Sequence, residues 1–271
     1  MKQLCYILSS FLLAALFLSA CRKESKKPAF NDQPVVEAYL VAGQPVRIAI
    51  TRQIAASAAV TYAPDDINNL EVYIKQGNLS YALHAMGQGI YADSTLIIQE
   101  GETYTLSFRY NGQQVTGSTT VPARPANFTQ SVTAISLDKI DSTTGPPAGG
   151  FTRPDPIELA WSNPDASYYM IVTQNLENTP ELIRDTTNRP LRIFRNEPGI
   201  DRQYQINSFQ FAFFGQYRIV LFHLNPDYAR LYSSNSNSSQ NLTSPATSLQ
   251  NGLGIFTGMS TDTLYLEVNK K

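Results

Sequence analysis

Short runs of alternating apolar and polar residues, each closed by a turn signal, limit this chain to a fold built from half-buried strands. Glu102 to Tyr110 is the clearest run, and Asn111-Gly112 closes it with two residues that tolerate positive φ. Val115 to Val121 then reads as the returning strand, stopped by Pro122 and Pro125. Upstream, Val35 to Val41, Val46 to Arg52 and Leu70 to Lys75 carry the β-branched or alternating character of strands. Gly43-Gln44-Pro45 and Gly77-Asn78 punctuate them, and Tyr81 to His84 and Ile90-Tyr91 add two more short strands. About seven strands between residues 34 and 122 predict an immunoglobulin-like β-sandwich.

A second set begins near Phe128, with Ser131 to Leu137 as its first strand. Residues 138 to 156 are too rich in Pro, Gly and Asp to pack and read as a long exposed loop. Ile157 to Asn163 and Tyr168 to Thr173 resemble the second and third strands of a fibronectin type III module, with Trp161, the only tryptophan, as core plug. Gly215 to His223 fits the sixth strand, placing Tyr217 where a tyrosine corner forms. Asn225-Pro226-Asp227 can start a short helix over Tyr228 to Tyr232, and strands return at Gly252 to Gly258 and Leu264 to Val268. The expectation is an all-β chain of two β-sandwich domains, immunoglobulin-like over 34–122 and fibronectin type III-like with long loops over 123–271, with a short helix near the C-terminus.

The first twenty residues read as an export signal rather than fold. Lys2 precedes an uncharged stretch from Ile7 to Ala20, short for a membrane span and of the length of a signal-peptide core. Leu18-Ser19-Ala20-Cys21 resembles the lipobox of bacterial lipoproteins, which implies cleavage before Cys21 and lipidation of its thiol. More than one acyl chain holds a protein firmly, since each buried methylene contributes about 0.8 kcal/mol. An uncleaved transmembrane anchor is the alternative, with Arg22, Lys23, Lys26 and Lys27 as its flanking charges. Residues 21–33 then form a lipidated tether, polar and bounded by proline. With Cys5 in the signal and Cys21 lipidated, neither of the two cysteines remains for a disulfide, a metal or a nucleophile. Loss of Lys2 from 21 basic and 22 acidic residues leaves a formal charge of −2, which argues against nucleic acid as a partner.

Four segments in this order behind the lipobox carry a family resemblance: VVEAYLVAGQPVRIAITR, GETYTLSFRYNGQQVTGSTTVP, LAWSNPDASYYMIV and NGLGIFTG. Together they resemble Bacteroidota lipoproteins of the domain-of-unknown-function 4249 family, over nearly all of residues 33–268. The resemblance implies a surface lipoprotein accompanying a TonB-dependent outer-membrane transporter, with a role in capture or gating for that barrel; a small ligand of unknown identity is the further expected partner. It carries over no catalytic residues. Lipoproteins of that phylum sent to the outer surface often carry acidic residues after the cysteine. Here Arg22-Lys23-Glu24-Ser25 has one, so both faces of the outer membrane stay open, the outer face favoured.

The chemistry of the body points away from catalysis. His84 and His223 are the only histidines, and both fall in expected strands. A nucleophilic triad or metal site needs an imidazole at a cleft, commonly with several further ligands. No cofactor or metal is expected: Asp65-Asp66 fits a turn or helix cap better than a calcium site, and calcium at Asp138 and Asp141 in the long loop is not expected either. Phe209, Phe211 and Phe213 alternate as a strand burying one face would, in preference to a ligand platform. Ser94, Ser142, Thr186 and Thr263 follow aspartate in a pattern that resembles Bacteroidota O-glycosylation sites. A non-catalytic binding or accessory lipoprotein is therefore expected. An adhesion or envelope-structural module is the alternative, and a carbohydrate-active enzyme, working through carboxylates alone, the third reading.

Overall fold

Strand pairing, rather than helix packing, organises the chain. The computed structural model describes residues 32–53, 65–140, 154–184, 190–236 and 247–271. In chain order the first elements are β1 (Pro34–Val41), β2 (Pro45–Arg52), the single-turn helix α1 (Asp65–Asn68), β3 (Tyr73–Gln76), β4 (Leu79–Ala82), β5 (His84–Gly87), β6 (Ile90–Ile97), β7 (Thr103–Tyr110) and β8 (Gln113–Thr120). They are followed by β9 (Ala126–Gln130), β10 (Ala134–Leu137), β11 (Ile157–Ser162), β12 (Tyr168–Asn175), β13 (Ile193–Arg195) and β14 (Gln203–Ile206). The last elements are β15 (Gly215–Leu224), helix α2 (Pro226–Ser236), β16 (Leu249–Gln250) and β17 (Leu253–Lys270).

Nine strands form one sheet in the order β13-β12-β15-β17-β1-β2-β6-β5, with β10 also paired to β17. A five-stranded sheet, β16-β8-β7-β3-β4, faces one half of it, and a three-stranded sheet, β14-β11-β9, faces the other. Between the first pair of layers lie Val36, Leu40, Ile48 and Tyr91 against Ile74, Tyr104, Leu106 and Phe108. Between the second pair, Tyr169, Ile171, Ile219 and Leu221 meet Phe128, Leu159, Trp161 and Ile206. The protein is thus all-β, two sandwiches with the nine-stranded sheet as their common wall.

That common wall departs from a division at residue 123. β17 pairs in parallel with β1 from Val35↔Leu253 to Val41↔Met259, then antiparallel with β15 from Leu224↔Met259 to Gly215↔Val268. Its 18 residues span roughly 60 Å at about 3.3 Å each. Leu249 and Phe256 pack in the first core, although the expected second segment contains them, while Leu266 and Val268 pack in the second. The two strands expected at 252–258 and 264–268 are one strand.

Local expectations hold where the signal is local. Asn111 (φ 47) and Gly112 (φ 77) make the tight β7–β8 turn. The Tyr217 hydroxyl donates to the Phe213 carbonyl at 2.9 Å and accepts the Phe213 N–H at 3.2 Å, the tyrosine corner. Burial, the larger effect, pushes its phenol pKa up. The expected strand through the phenylalanines is absent. Ser208–Gln210 is a 3-10 turn, closed by the Gln210 side chain accepting the Asn207 N–H at 2.8 Å. Phe211 and Phe214 stay in the second core, but Phe209 is 62% exposed. Helix α2 runs from Pro226 to Ser236, further than expected.

Polar contacts bolt the junction of the two sandwiches. Asn225 Nδ2 lies 3.0 Å from Thr119 Oγ1 and 3.1 Å from the Gly258 carbonyl. Ser260 donates to the Ala123 carbonyl at 2.7 Å, and His223 Nδ1 sits 2.8 Å from that same oxygen. On the outer side α2 covers Met170, Leu224 and Met259. Tyr228 meets Tyr39 edge-on at 5.9 Å, and the Arg195 guanidinium lies 5.6 Å from the centre of the Tyr232 ring. The Tyr39 phenol is pushed up to about 12, first by burial and then by the Glu37 carboxylate.

Two predictions follow from this junction. A Cβ at Gly258 would lie 2.8 Å from Val121 Cα and 3.0 Å from the Thr120 carbonyl oxygen, both backbone atoms. Gly258→Ala is expected to cost about 1–3 kcal/mol in urea unfolding. An unfolded phenol ionises near 10 whereas Tyr39 ionises near 12, so the unfolded chain releases this proton first. Stability from Tyr39 is intact below about pH 10 and lost as pH rises towards 12. Urea midpoints recorded across that window should fall less for Tyr39→Phe than for the native chain.

Candidate functional site

The outer face of the five-stranded sheet holds a groove whose shape follows from side-chain size. Along β7, Thr103, Thr105, Ser107 and Arg109 alternate outward with buried Tyr104, Leu106, Phe108 and Tyr110. Ser107 is the cross-strand neighbour of Tyr73 on β3, and Lys75 that of Ser80 on β4. Small serines between a tyrosine and long charged chains leave the surface concave. The resulting cavity of about 580 Å³ is lined by Glu71, Tyr73, Lys75, Ser80, Ser107, Arg109 and Gln114, among others. That volume lies within the range of small-molecule sites.

Two kinds of polar surface meet on this face. Beside the groove the hydroxyls satisfy one another: Thr103 and Thr120 at 2.8 Å, Thr105 and Ser118 at 3.4 Å, and Thr116 with Gln250 at 3.3 Å. Around the groove, the side chains of Glu71, Lys75, Arg109 and Gln114 make no hydrogen bond or ion pair among the described residues. Tyr73, 36% exposed, supplies the aromatic surface between them. The groove therefore presents one exposed ring, one carboxylate, two cations and the amides of Asn69 and Gln114, with Glu71 and Asn69 just ahead of β3 and the others on the strands.

Among the described residues, those singled out in the sequence do not assemble into a second site. Ser94 is exposed on β6, where Asp93 Oδ1 accepts both the Thr95 amide at 2.8 Å and its hydroxyl at 2.7 Å. The Thr95 hydroxyl is the main reason the Asp93 carboxyl lies below its ordinary range. Thr263 is half-buried on β17, its amide donating to Asp262 Oδ1 at 2.9 Å. Cys21, Ser142 and Thr186 lie outside the described residues. His84 is exposed on β5, while His223 stacks on Tyr169 at 4.7 Å and turns Nδ1 to a backbone carbonyl. Asp138 pairs with Lys271 at 3.7 Å, and Asp141 lies outside the described residues. Among the described residues there is no group of three or more His, Cys, Asp and Glu suited to a metal, and no helix long and apolar enough to cross a membrane.

Sequence reasoning passed over the groove. Glu71, Tyr73 and Lys75 show as the outward positions of an alternating strand, as do Ser107 and Arg109. Their convergence depends on β3 pairing with β7, a neighbour distant in sequence.

An all-β protein with a polar groove on a sheet face is the class that fold and site define. The chain belongs to the family described as domain of unknown function (DUF4249), whose pattern matches residues 24–264. No curated protein matches it. Among solved structures it is similar to domains A168–A170 of titin, at 11% identity and a TM-score of 0.21, over 88% of this chain and 67% of that one. It is also similar to the FN1–FN3 domains of chicken CNTN1, at 11% identity and a TM-score of 0.27, over 72% of this chain and 62% of that one.

Because the long groove side chains have no partner among the described residues, truncating them should leave stability nearly untouched. Lys75→Ala and Arg109→Ala are each expected to shift urea unfolding by less than about 0.5 kcal/mol. Phe108→Ala, beneath the same strand, should cost about 3–5 kcal/mol.

Proposed function

We propose that this chain is a non-catalytic envelope lipoprotein, anchored at the outer membrane through Cys21. In this reading the groove on the five-stranded sheet is its ligand site and a TonB-dependent transporter its partner. The observation that carries the binding role is the ring of polar heads around Tyr73 with no partner among the described residues. Such heads on a stable sheet are poised for a solute rather than for the fold. Against catalysis, one histidine is engaged with a backbone carbonyl and the other stands on an edge strand, and the groove has a single carboxylate. Anchoring rests on the leader and Leu18-Ser19-Ala20-Cys21, with residues 22–33 as the tether that lets the body stand off the bilayer, up to roughly 40 Å. The outer face of the membrane is the orientation this reading favours.

Mass spectrometry of the purified protein should find a mature N-terminus at Cys21 carrying acyl chains. Cys21→Ser should move the protein from the detergent phase to the aqueous phase. A tagged native protein, solubilised gently from outer membranes, should recover a TonB-dependent transporter. An intact leader or a bare thiol would end the lipoprotein reading, and an empty pull-down would end the transporter reading.

A further inference from the structure

We infer that the groove takes a short chain of pyranose sugars, an inference that rests on reading the groove as the ligand site. A pyranose offers an apolar C–H face and a rim of hydroxyls that both donate and accept. The groove answers both. Tyr73, beside Ser107, presents its ring at 36% exposure, a surface on which a sugar face can lie. Glu71 can only accept, Lys75 and Arg109 can only donate, and Gln114 and Ser107 do both. Their cross-strand neighbours fix the spacing: Tyr73 stands beside Ser107, and Arg109 beside Gln114.

The other ligand chemistries fit less well. A phosphate or sulfate could pair with Lys75 and Arg109 but has no apolar face to cover the Tyr73 ring and no hydroxyls to donate to Glu71. An apolar ligand would have to strip water from the Glu71, Lys75, Arg109 and Gln114 heads without replacing their hydrogen bonds. Sugar hydroxyls replace that water one for one. The two cations against one carboxylate suit a uronate as well as a neutral sugar, since both share the ring face and the hydroxyl rim.

The test uses the full-length protein in detergent, titrated calorimetrically with defined hexasaccharides. One arm is neutral (cello-, malto- and xylo-hexaose) and one bears uronates (hexagalacturonate and hexamannuronate). At least one should bind. Tyr73→Ala should weaken that sugar by about tenfold or more, while Tyr73→Trp keeps it. Tyr265→Ala, removing an exposed tyrosine on β17, should change nothing. Arg109→Ala should weaken a uronate more than a neutral sugar, which identifies the source of the chemistry. Absence of binding in both arms at about 5 mM overturns the inference. So does binding that Tyr73→Ala leaves intact, or that Tyr265→Ala reduces equally. A transporter recovered without sugar binding would overturn this inference and leave the proposed function standing. Sugar binding by a protein with a bare Cys21 and no transporter would do the reverse.

Discussion

The backbone hydrogen bonds of β17 hold two sandwiches to one wall. Its N-terminal half completes the sheet beside β1, and its C-terminal half completes it between β15 and β10. A parallel pairing on one side and an antiparallel pairing on the other meet at Met259, which is the partner of both Val41 and Leu224. The chain's last strand is therefore required by its first. The first core is not closed until residues separated by more than two hundred positions have met, so the ordering entropy of a long loop must be offset before that sandwich is complete, whereas the second draws only on residues 128–268.

The junction shows what such sharing demands of individual residues. From Ile255 to Ser260 every residue is buried, because the first core lies on one side and α2 or the linker after β8 lies on the other. Strands covered on both faces lose the period-two signature. Close approach then selects glycine: at Gly254, with φ +94, a Cβ would lie 2.0 Å from the Val36 carbonyl oxygen, and at Gly258 it would meet the β8 linker. Thr257 and Ser260, buried among apolar neighbours, keep their hydroxyls satisfied by Asp227 Oδ1 and the Ala123 carbonyl.

The same physics explains how far the sequence could be read. Turn chemistry is local, so Asn111-Gly112 and the Tyr217 corner were legible, and so was Trp161 as the plug between Phe128 and Tyr169. Alternation reports which face a residue takes but not which strand lies beside it. For that reason Gly252 to Gly258, whose last four residues are buried on both faces, read as a short strand instead of part of a long one. Phe209 misled in the opposite way: its spacing from Phe211 and Phe213 matches a strand, but Asn207 and Gln210 close a 3-10 turn that turns it outward. The groove was illegible because Tyr73 and Ser107 are neighbours only through sheet pairing.

The outer face of β7 and β8 carries two solutions to the same problem. A strand must do something with its outward side chains. At Thr103, Thr105 and Thr116 the answer is short hydroxyls that bond across the ladder and lose little rotamer freedom. At Arg109, Lys75 and Gln114 the answer is long flexible heads with no partner among the described residues, set around a ring instead of against one another. Unpaired long side chains add little to folding stability, and ordering them is unfavourable unless something binds. Both solutions sit on one continuous β ladder with the same buried support. Folding stability alone therefore does not account for the difference between them.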